Sequence, residues 1–114
     1  MTTQLPPGMA VSHCHTMADV RAHIDALDSV IVPLMAQRSA YVAQAARIKQ
    51  CATQVVDLER VEYIVRRVKA QAEALGAPAA VVEAAYRAMI AASIEFEHGE
   101  FARLREPAVS GDAP

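Results

Sequence analysis

One long apolar pattern between Thr16 and Gln50 constrains the fold more than any other feature of the sequence. Apolar positions recur at alternating spacings of four and three, which is typical of one side of a helix that packs along its whole length. Thr16 followed by Asp19 resembles a helix cap, and we expect Pro33 to bend the helix without breaking it. The seam consists of Val20, Ile24, Leu27, Ile31, Leu34, Arg38, Tyr41, Ala45 and Ile48.

Two further helices are predicted after this pattern. Asp57 resembles the cap of a second helix, and Gly76 is well placed to end it in a left-handed conformation. A third helix is expected to start at Ala77 and Pro78 and to run to about Arg105. Because no alternating apolar and polar run indicates a strand, the sequence predicts an all-α fold of three helices with a much longer first helix.

The length of the first helix also predicts an assembly. We expect a flexible leader over residues 1–15, one helical domain over residues 16–106 and a flexible tail over residues 107–114. A first helix of about 50 Å cannot bury its seam against two later helices of roughly 27 Å each. A homodimer is therefore predicted.

Two cations are predicted to flank one groove of the first helix. Arg38 lies on the apolar seam, and a guanidinium there needs an anion facing it because it cannot lose its proton. Lys49 returns to within roughly 20° of the same face, with the small Ala45 between the two. Arg21 is about 25 Å from Arg38 along the helix, so it either reaches the groove from an antiparallel partner or is a solvated surface charge. The pattern indicates a pocket for a small, multiply anionic molecule.

Polar residues on the third helix form a candidate opposite wall of this pocket. Ser93 and Glu97 interrupt an apolar face, and they could converge with Arg38 and Arg60 if the helices fold back on each other. Alternatives stay open for each residue. Arg38 could form a buried ion pair with Glu97 or Asp57, Ser93 could bond back to its own helix, and Arg60 could be a solvated charge.

Taken together, these residues resemble the all-helical chorismate mutases and the related isochorismate pyruvate lyases over about residues 17–105. The resemblance is carried by Arg21, Arg38, Lys49, the set Asp57-Leu-Glu-Arg60, Ser93 and Glu97. It implies an intertwined homodimer that needs neither a metal nor another cofactor. It also implies the conversion of chorismate to prephenate, a step of the shikimate pathway towards aromatic amino acids.

The resemblance further implies a role for each site residue. Arg38 and Arg21 from the partner would bind the two carboxylates of chorismate, and Lys49 would contact the ether oxygen. The reaction is a concerted rearrangement, which requires a restrained conformer and stabilisation of charge on that oxygen. The remaining positions implied by the resemblance are Asp57 near the ring hydroxyl, Arg60 as a support, Ser93 at a carboxylate, and Ile90, Ile94 and Ala45 as apolar wall.

Two positions depart from the family pattern. Many members have glutamine in place of Glu97, and an ionised carboxylate can only accept a hydrogen bond, so we expect activity to rise towards acidic pH. Val61 stands where mutases often carry glutamate, which favours a lyase that gives salicylate and pyruvate. Asp57 and Glu97 favour the mutase, which we take as the first interpretation.

Charge, hydropathy and cysteine spacing argue against several other classes of protein. The formal charge of −2 argues against a generic nucleic-acid binder. No stretch is apolar enough to span a membrane and no secretion signal is apparent, so a cytoplasmic protein is expected. Cys14 and Cys51 lack framework spacing and are expected to be reduced thiols.

Two alternative classes of protein remain, a metal-binding protein and a non-catalytic helical dimer. Glu95 and His98 have the spacing of a di-iron helix motif, but the second motif and the further glutamates of such a site are lacking. The triplet of His13, Cys14 and His15 lies in the leader, where no scaffold is expected to make ligands converge. A non-catalytic helical dimer or adaptor would explain the seam but not its polar residues.

Overall fold

The computed structural model describes residues 9–106, which form three α-helices. These are α1 (Met17–Ile48), α2 (Leu58–Ala74) and α3 (Ala79–Arg105), with a short 3-10 helix (Ala52–Gln54) between α1 and α2. No strand occurs in this part of the chain. The predicted all-α fold of three helices with a long first helix is confirmed. The predicted tail, residues 107–114, and the first eight residues of the predicted leader lie outside the described residues.

The start of α1 agrees with the sequence analysis and its end differs. Thr16 Oγ1 accepts a hydrogen bond from the Asp19 main-chain nitrogen at 3.1 Å. The helix then continues through Pro33. It ends at Ile48, the last residue of the seam and two residues before the predicted boundary at Gln50, because Lys49 adopts an extended backbone with φ −60° and ψ 145°.

The later helices differ mainly in length from the expectation. Asp57 Oδ1 caps α2 by accepting from the Arg60 main-chain nitrogen at 3.0 Å, and Gly76 has the predicted positive φ of 71°. Pro78 is extended, so α3 begins at Ala79. With 27 residues, α3 is about 40 Å long and only slightly shorter than α1. The predicted end at about Arg105 is confirmed, whereas the expected length of roughly 27 Å is wrong for α3, because 27 residues at a rise of about 1.5 Å each span about 40 Å.

The third helix is the centre of the packing. It contacts both α1 and α2. The core that results is small, because only the C-terminal half of α1 takes part in it. The buried apolar residues are Ala46, Val55, Val65, Val68, Ala72 and Ile90.

The N-terminal half of α1 leaves its apolar seam open. Ile24, Leu27, Ile31 and Leu34 are 48–59% exposed. The described leader residues 9–14 have no regular secondary structure and border a cavity of about 600 Å³ beside this part of α1. The radius of gyration is 19.2 Å, well above the roughly 13 Å of a compact chain of this length. One chain thus does not cover its own seam, and the homodimer stays a prediction.

None of the helices in residues 9–106 is both long and apolar enough to cross a membrane.

Candidate active site

A cleft of about 420 Å³ lies where the three helices meet. Its walls are the C-terminal half of α1, the first turns of α2 with the preceding loop, and the later half of α3. Nine of the ten predicted site residues line it: Arg38, Ala45, Lys49, Asp57, Arg60, Ile90, Ser93, Ile94 and Glu97. The structure therefore brings together residues from three helices that the sequence analysis placed in one pocket.

The helix periodicities explain why these side chains share the cleft. On α1, Arg38 and Ala45 are seven residues apart, which is two turns on one face. On α3, Ser93 and Glu97 are one turn apart and follow Ile90 on the same face. Lys49 is the first residue after α1, and its extended backbone directs the chain towards α2.

The two cations of α1 have different partners in the cleft. Lys49 Nζ donates to Glu97 Oε2 at 2.6 Å, whereas Arg38 Nη1 donates to Ser93 Oγ at 3.2 Å. Within residues 9–106, no carboxylate forms an ion pair with Arg38. The alternative of a buried ion pair from Arg38 to Glu97 or Asp57 is therefore wrong. A hydroxyl leaves the guanidinium charge uncompensated, so Arg38 can still attract an anionic ligand.

Glu97 is the most deeply placed ionisable group of the cleft. Its residue exposure is 7%, while the Lys49 side chain is 26% exposed. A buried carboxylate requires a charged or hydrogen-bonding partner, and the Lys49 ammonium provides both at this short distance. Ionised Glu97 can only accept hydrogen bonds, whereas protonated Glu97 could donate one to a ligand.

The start of α2 contributes a carboxylate and a guanidinium at the edge of the cleft. Asp57 and Arg60 are both exposed. Asp57 Oδ1 serves the helix cap, so Oδ2 is the oxygen that could meet a ligand hydroxyl. The Arg60 guanidinium lies 5.1 Å from the centre of the Tyr63 ring, a cation–π distance. Both residues therefore lie at the edge of the cleft, and neither forms an observed hydrogen bond with the Lys49 or Glu97 side chain.

Arg21 is the one predicted site residue that does not line the cleft. It is exposed in the first turns of α1. Seventeen residues of helix separate it from Arg38, which corresponds to about 25 Å along the axis. Arg21 cannot reach the cleft of its own chain, and its contribution from a partner stays a prediction.

Five further residues line the cleft that the sequence analysis did not assign as site residues: Tyr41, Val42, Val55, Val61 and Ile64. Tyr41 and Val42 follow Arg38 by three and four residues, and Ile64 follows Arg60 by four. Helical periodicity was thus a usable signal for these three. Val55 comes from the irregular connection and carries no periodic signal, although it is only 3% exposed.

A larger cavity of about 780 Å³ borders the connection between α1 and α2 and shares Lys49 and Asp57 with the cleft. Lys49 is its only cationic lining residue, and Asp57 and Glu59 contribute two acids. This cavity therefore suits an anion less well than the cleft, where three cations face two carboxylates.

The residues considered for a metal site do not form one group. Across residues 9–106, no three histidine, cysteine, aspartate or glutamate side chains lie together in a way that could hold a metal ion. In the leader, the rings of His13 and His15 contact each other edge to face, with 4.9 Å between their centres. Glu95 is exposed on α3 and does not line the cleft.

The fold and the cleft define an all-helical protein with a cationic, partly apolar cleft between three helices. A family model described as chorismate mutase type II matches residues 20–98, which is more than half of the chain. The chain belongs to the chorismate mutase type II family, and the resemblance noted from the sequence is confirmed. Comparisons with curated proteins and with solved structures gave no significant match. Membership supports chorismate mutase-type activity and a small-molecule substrate, without separating mutase from lyase.

Proposed function

We propose that this protein is a chorismate mutase, which rearranges chorismate to prephenate. The observation that carries the proposal is the convergence of Arg38, Lys49 and Glu97 around one cleft with an apolar wall that includes Ile90 and Ile94. The rearrangement is intramolecular and needs no nucleophile. The protein has to hold the compact conformer and stabilise negative charge on the breaking ether oxygen.

Arg38 and Ser93 are suited to holding a carboxylate of the substrate. The guanidinium presents two parallel donors to a carboxylate, and its contact with Ser93 Oγ fixes the orientation of that fork. The Ser93 hydroxyl can itself donate to the same carboxylate. Apolar side chains on both sides limit the conformations of the bound molecule and exclude water from it.

Lys49 and Glu97 are suited to acting on the ether oxygen. The Lys49 ammonium has three donors, of which Glu97 Oε2 uses one. A fixed donor at an oxygen that gains negative charge contributes a factor of about 10²–10³ to the rate. Protonated Glu97 would add a second donor, whereas ionised Glu97 would offset part of the positive charge that Lys49 presents to the ether oxygen.

The charge balance of the cleft supports a contribution from a second chain. With three cations and two ionised carboxylates, the lining residues carry a net charge of one positive unit. Chorismate is a dianion, so one further cation would balance it, and Arg21 of an antiparallel partner is the candidate. The accessible surface of 8845 Å² also exceeds the roughly 6,100 Å² of a compact 12.3 kDa monomer. We therefore propose an intertwined homodimer.

The activity is tested by following the loss of chorismate absorbance and the formation of prephenate. An unchanged chorismate spectrum would refute the mutase assignment. The shared site is tested by mixing two inactive variants, Arg21→Ala and Arg38→Ala, under conditions of subunit exchange. About half of the dimers would then be hybrids with one intact site of two, which restores about a quarter of the parent activity. A mixture as inactive as its components would exclude Arg21 as a residue of the partner's site.

Isochorismate pyruvate lyase is the second candidate function. Val61 lines the cleft as an apolar, half-buried residue, so no carboxylate from this position meets a ring hydroxyl. Incubation with isochorismate and detection of salicylate fluorescence distinguishes the lyase from the mutase. If neither substrate is consumed, the remaining interpretation is a non-catalytic helical dimer or adaptor.

A further inference from the structure

Arg105, near the end of α3, reaches across to the C-terminal end of α1. Its Nη1 donates to the Ala46 carbonyl at 2.9 Å, and its Nη2 donates to the Arg47 carbonyl at 3.3 Å and to the Lys49 carbonyl. The guanidinium carbon lies 3.6 Å from the centre of the Phe101 ring. One side chain therefore binds three main-chain carbonyls of another helix end while it stacks on its own helix.

These contacts fix the main chain of Lys49 on both sides. The last carbonyls of a helix have no partner within the helix, and the end frays unless other groups bind them. The Lys49 N–H donates to the Ala45 carbonyl at 2.9 Å, and the Lys49 carbonyl accepts from Arg105. Lys49 itself is extended, outside the helix, so the helical hydrogen bonds alone do not hold its carbonyl.

Helix α3 contacts Lys49 at two points, the main chain and the side-chain ammonium. Arg105 binds the Lys49 main-chain carbonyl. Glu97, about two turns earlier on α3, accepts a hydrogen bond from the Lys49 ammonium at 2.6 Å. Arg105 does not line the cleft, so it has no contact with a ligand there. Its effect on the cleft can pass only through the residues it binds.

We propose that Arg105 is a positioning residue that sets the location of the Lys49 ammonium in the cleft. The proposal rests on the proposed function to the extent that Lys49 acts on the ether oxygen. Displacing a reacting group by about 1 Å can lower a rate about 10²-fold, so an anchor on the main chain of Lys49 bears directly on the rate. Such a displacement is expected when the carbonyls of Ala46, Arg47 and Lys49 lose their shared donor.

The chain offers a matched control for Arg105. Arg103 lies two residues earlier on α3 and pairs with Glu100 of the same helix at 2.7 Å. It is exposed and makes no hydrogen bond to α1 among the described residues. The variants Arg105→Gln and Arg103→Gln thus remove the same charge from the same region, and only the first removes the anchor.

A direct readout of the Lys49 position uses the fact that the chain has only two lysines, Lys49 and Lys69. Lys69 pairs with Glu83, away from the end of α1, and serves as an internal reference. In protein labelled with ¹³C-lysine, Arg105→Gln should shift the Cε signal of Lys49 and leave that of Lys69 unchanged. Arg103→Gln should shift neither signal. This measurement does not depend on turnover.

Kinetics then tests whether Arg105 acts through Lys49. Arg105→Gln should lower kcat/KM for chorismate by a factor of about ten to one hundred, mainly through kcat. Combined with Lys49→Met, it should cost no more than Lys49→Met alone, because the two residues act as one unit. A merely structural residue would instead multiply the loss.

The outcomes separate the two proposals. A folded Arg105→Gln protein with an unshifted Lys49 signal overturns the positioning role, and so does a multiplied loss in the double variant. If the parent protein does not consume chorismate but Arg105→Gln still shifts the Lys49 signal, the proposed function is refuted and the positioning role is supported. If Arg105→Gln does not fold, Arg105→Met replaces it, and a Lys49 signal identical to that of the parent would then overturn the positioning role.

Discussion

Replacing Glu97 by glutamine is expected to raise activity at neutral pH. Glu97 is only 7% exposed, and its Oε2 lies 2.6 Å from the Lys49 ammonium. A carboxylate at this position accepts a hydrogen bond from Lys49 and offers no donor to the ether oxygen of the proposed substrate. The amide of glutamine would keep an acceptor oxygen for Lys49 and add a donor for the ether oxygen.

The structure limits the size of this effect. Glu97→Gln leaves Arg38 and Lys49 in place, so the substitution adds at most one donor to the cleft. One such donor is worth at most a factor of about 10²–10³, or about 2.7–4 kcal/mol. Within that limit, kcat/KM of Glu97→Gln should exceed that of the parent by about ten- to a hundredfold at neutral pH.

The assay follows chorismate absorbance at neutral pH and compares kcat/KM for the parent and Glu97→Gln. Circular dichroism checks that the helices of each protein remain folded. Glu95→Gln is the control, because Glu95 is exposed on the same helix and does not line the cleft. It should keep the kcat/KM of the parent. A folded Glu97→Gln protein that is no more active than the parent would refute the reasoning.

Two predictions concern the stability of the fold. Gly76→Ala should lower the free energy of unfolding by about 1 kcal/mol because Gly76 has φ 71°, whereas Gly99→Ala should raise it by about 0.5–1 kcal/mol because nothing lies within 4 Å of the added carbon inside α3. Thermal unfolding measures both changes. Hydrogen bonds from Arg87 hold the pKa of Glu62 and of Glu83 below the usual 4.5, so this stabilisation is present above that pH and is lost as the pH falls below it. Arg87→Gln should therefore lower the Tm near neutral pH and make the Tm fall less on acidification.

Each of these stability predictions has a clear counter-result. Equal Tm values for Gly76→Ala and the parent would contradict the left-handed conformation at the end of α2. For the acid-sensitive contact, Arg67→Gln is the control, since Arg67 is exposed on α2 and forms no ion pair within the described residues. It should leave the dependence of Tm on pH unchanged. A steeper dependence in Arg87→Gln than in the parent would contradict the assigned contact.

The helices were predictable because their signals are local. The caps at Thr16 and Asp57 and the left-handed glycine at Gly76 each involve residues within one turn, and each occurs as predicted. The faces that carry the cleft residues follow from helical periodicity in the same way. Periodicity does not fix how far one helix is shifted along another. The sequence therefore placed Arg38, Lys49 and Glu97 together but did not predict that Lys49 binds Glu97.

The contacts of Arg105 with the end of α1 could not be predicted from the sequence, for a related reason. Its contacts join residues 56 to 59 positions apart in the chain, and they depend on where α1 stops. The last residue of the apolar seam is Ile48, and nothing in the sequence at Lys49 itself indicates that this residue leaves the helix. The end of α3 at about Arg105 was predicted, but no pattern in the sequence indicates that it lies beside the end of α1.

The helix ends around the cleft provide a physical reason to expect a second chain at the site. The C-terminal end of α1 carries a partial negative charge of roughly half a unit, which disfavours an anion nearby. The start of α2 carries the opposite partial charge, but Asp57 caps it and offsets much of that attraction. Arg105 binds the α1 carbonyls and reduces their effect without facing the cleft. Binding of the proposed dianionic substrate would therefore depend on cationic side chains, and because Glu97 pairs with Lys49, we expect one chain to supply too few of them.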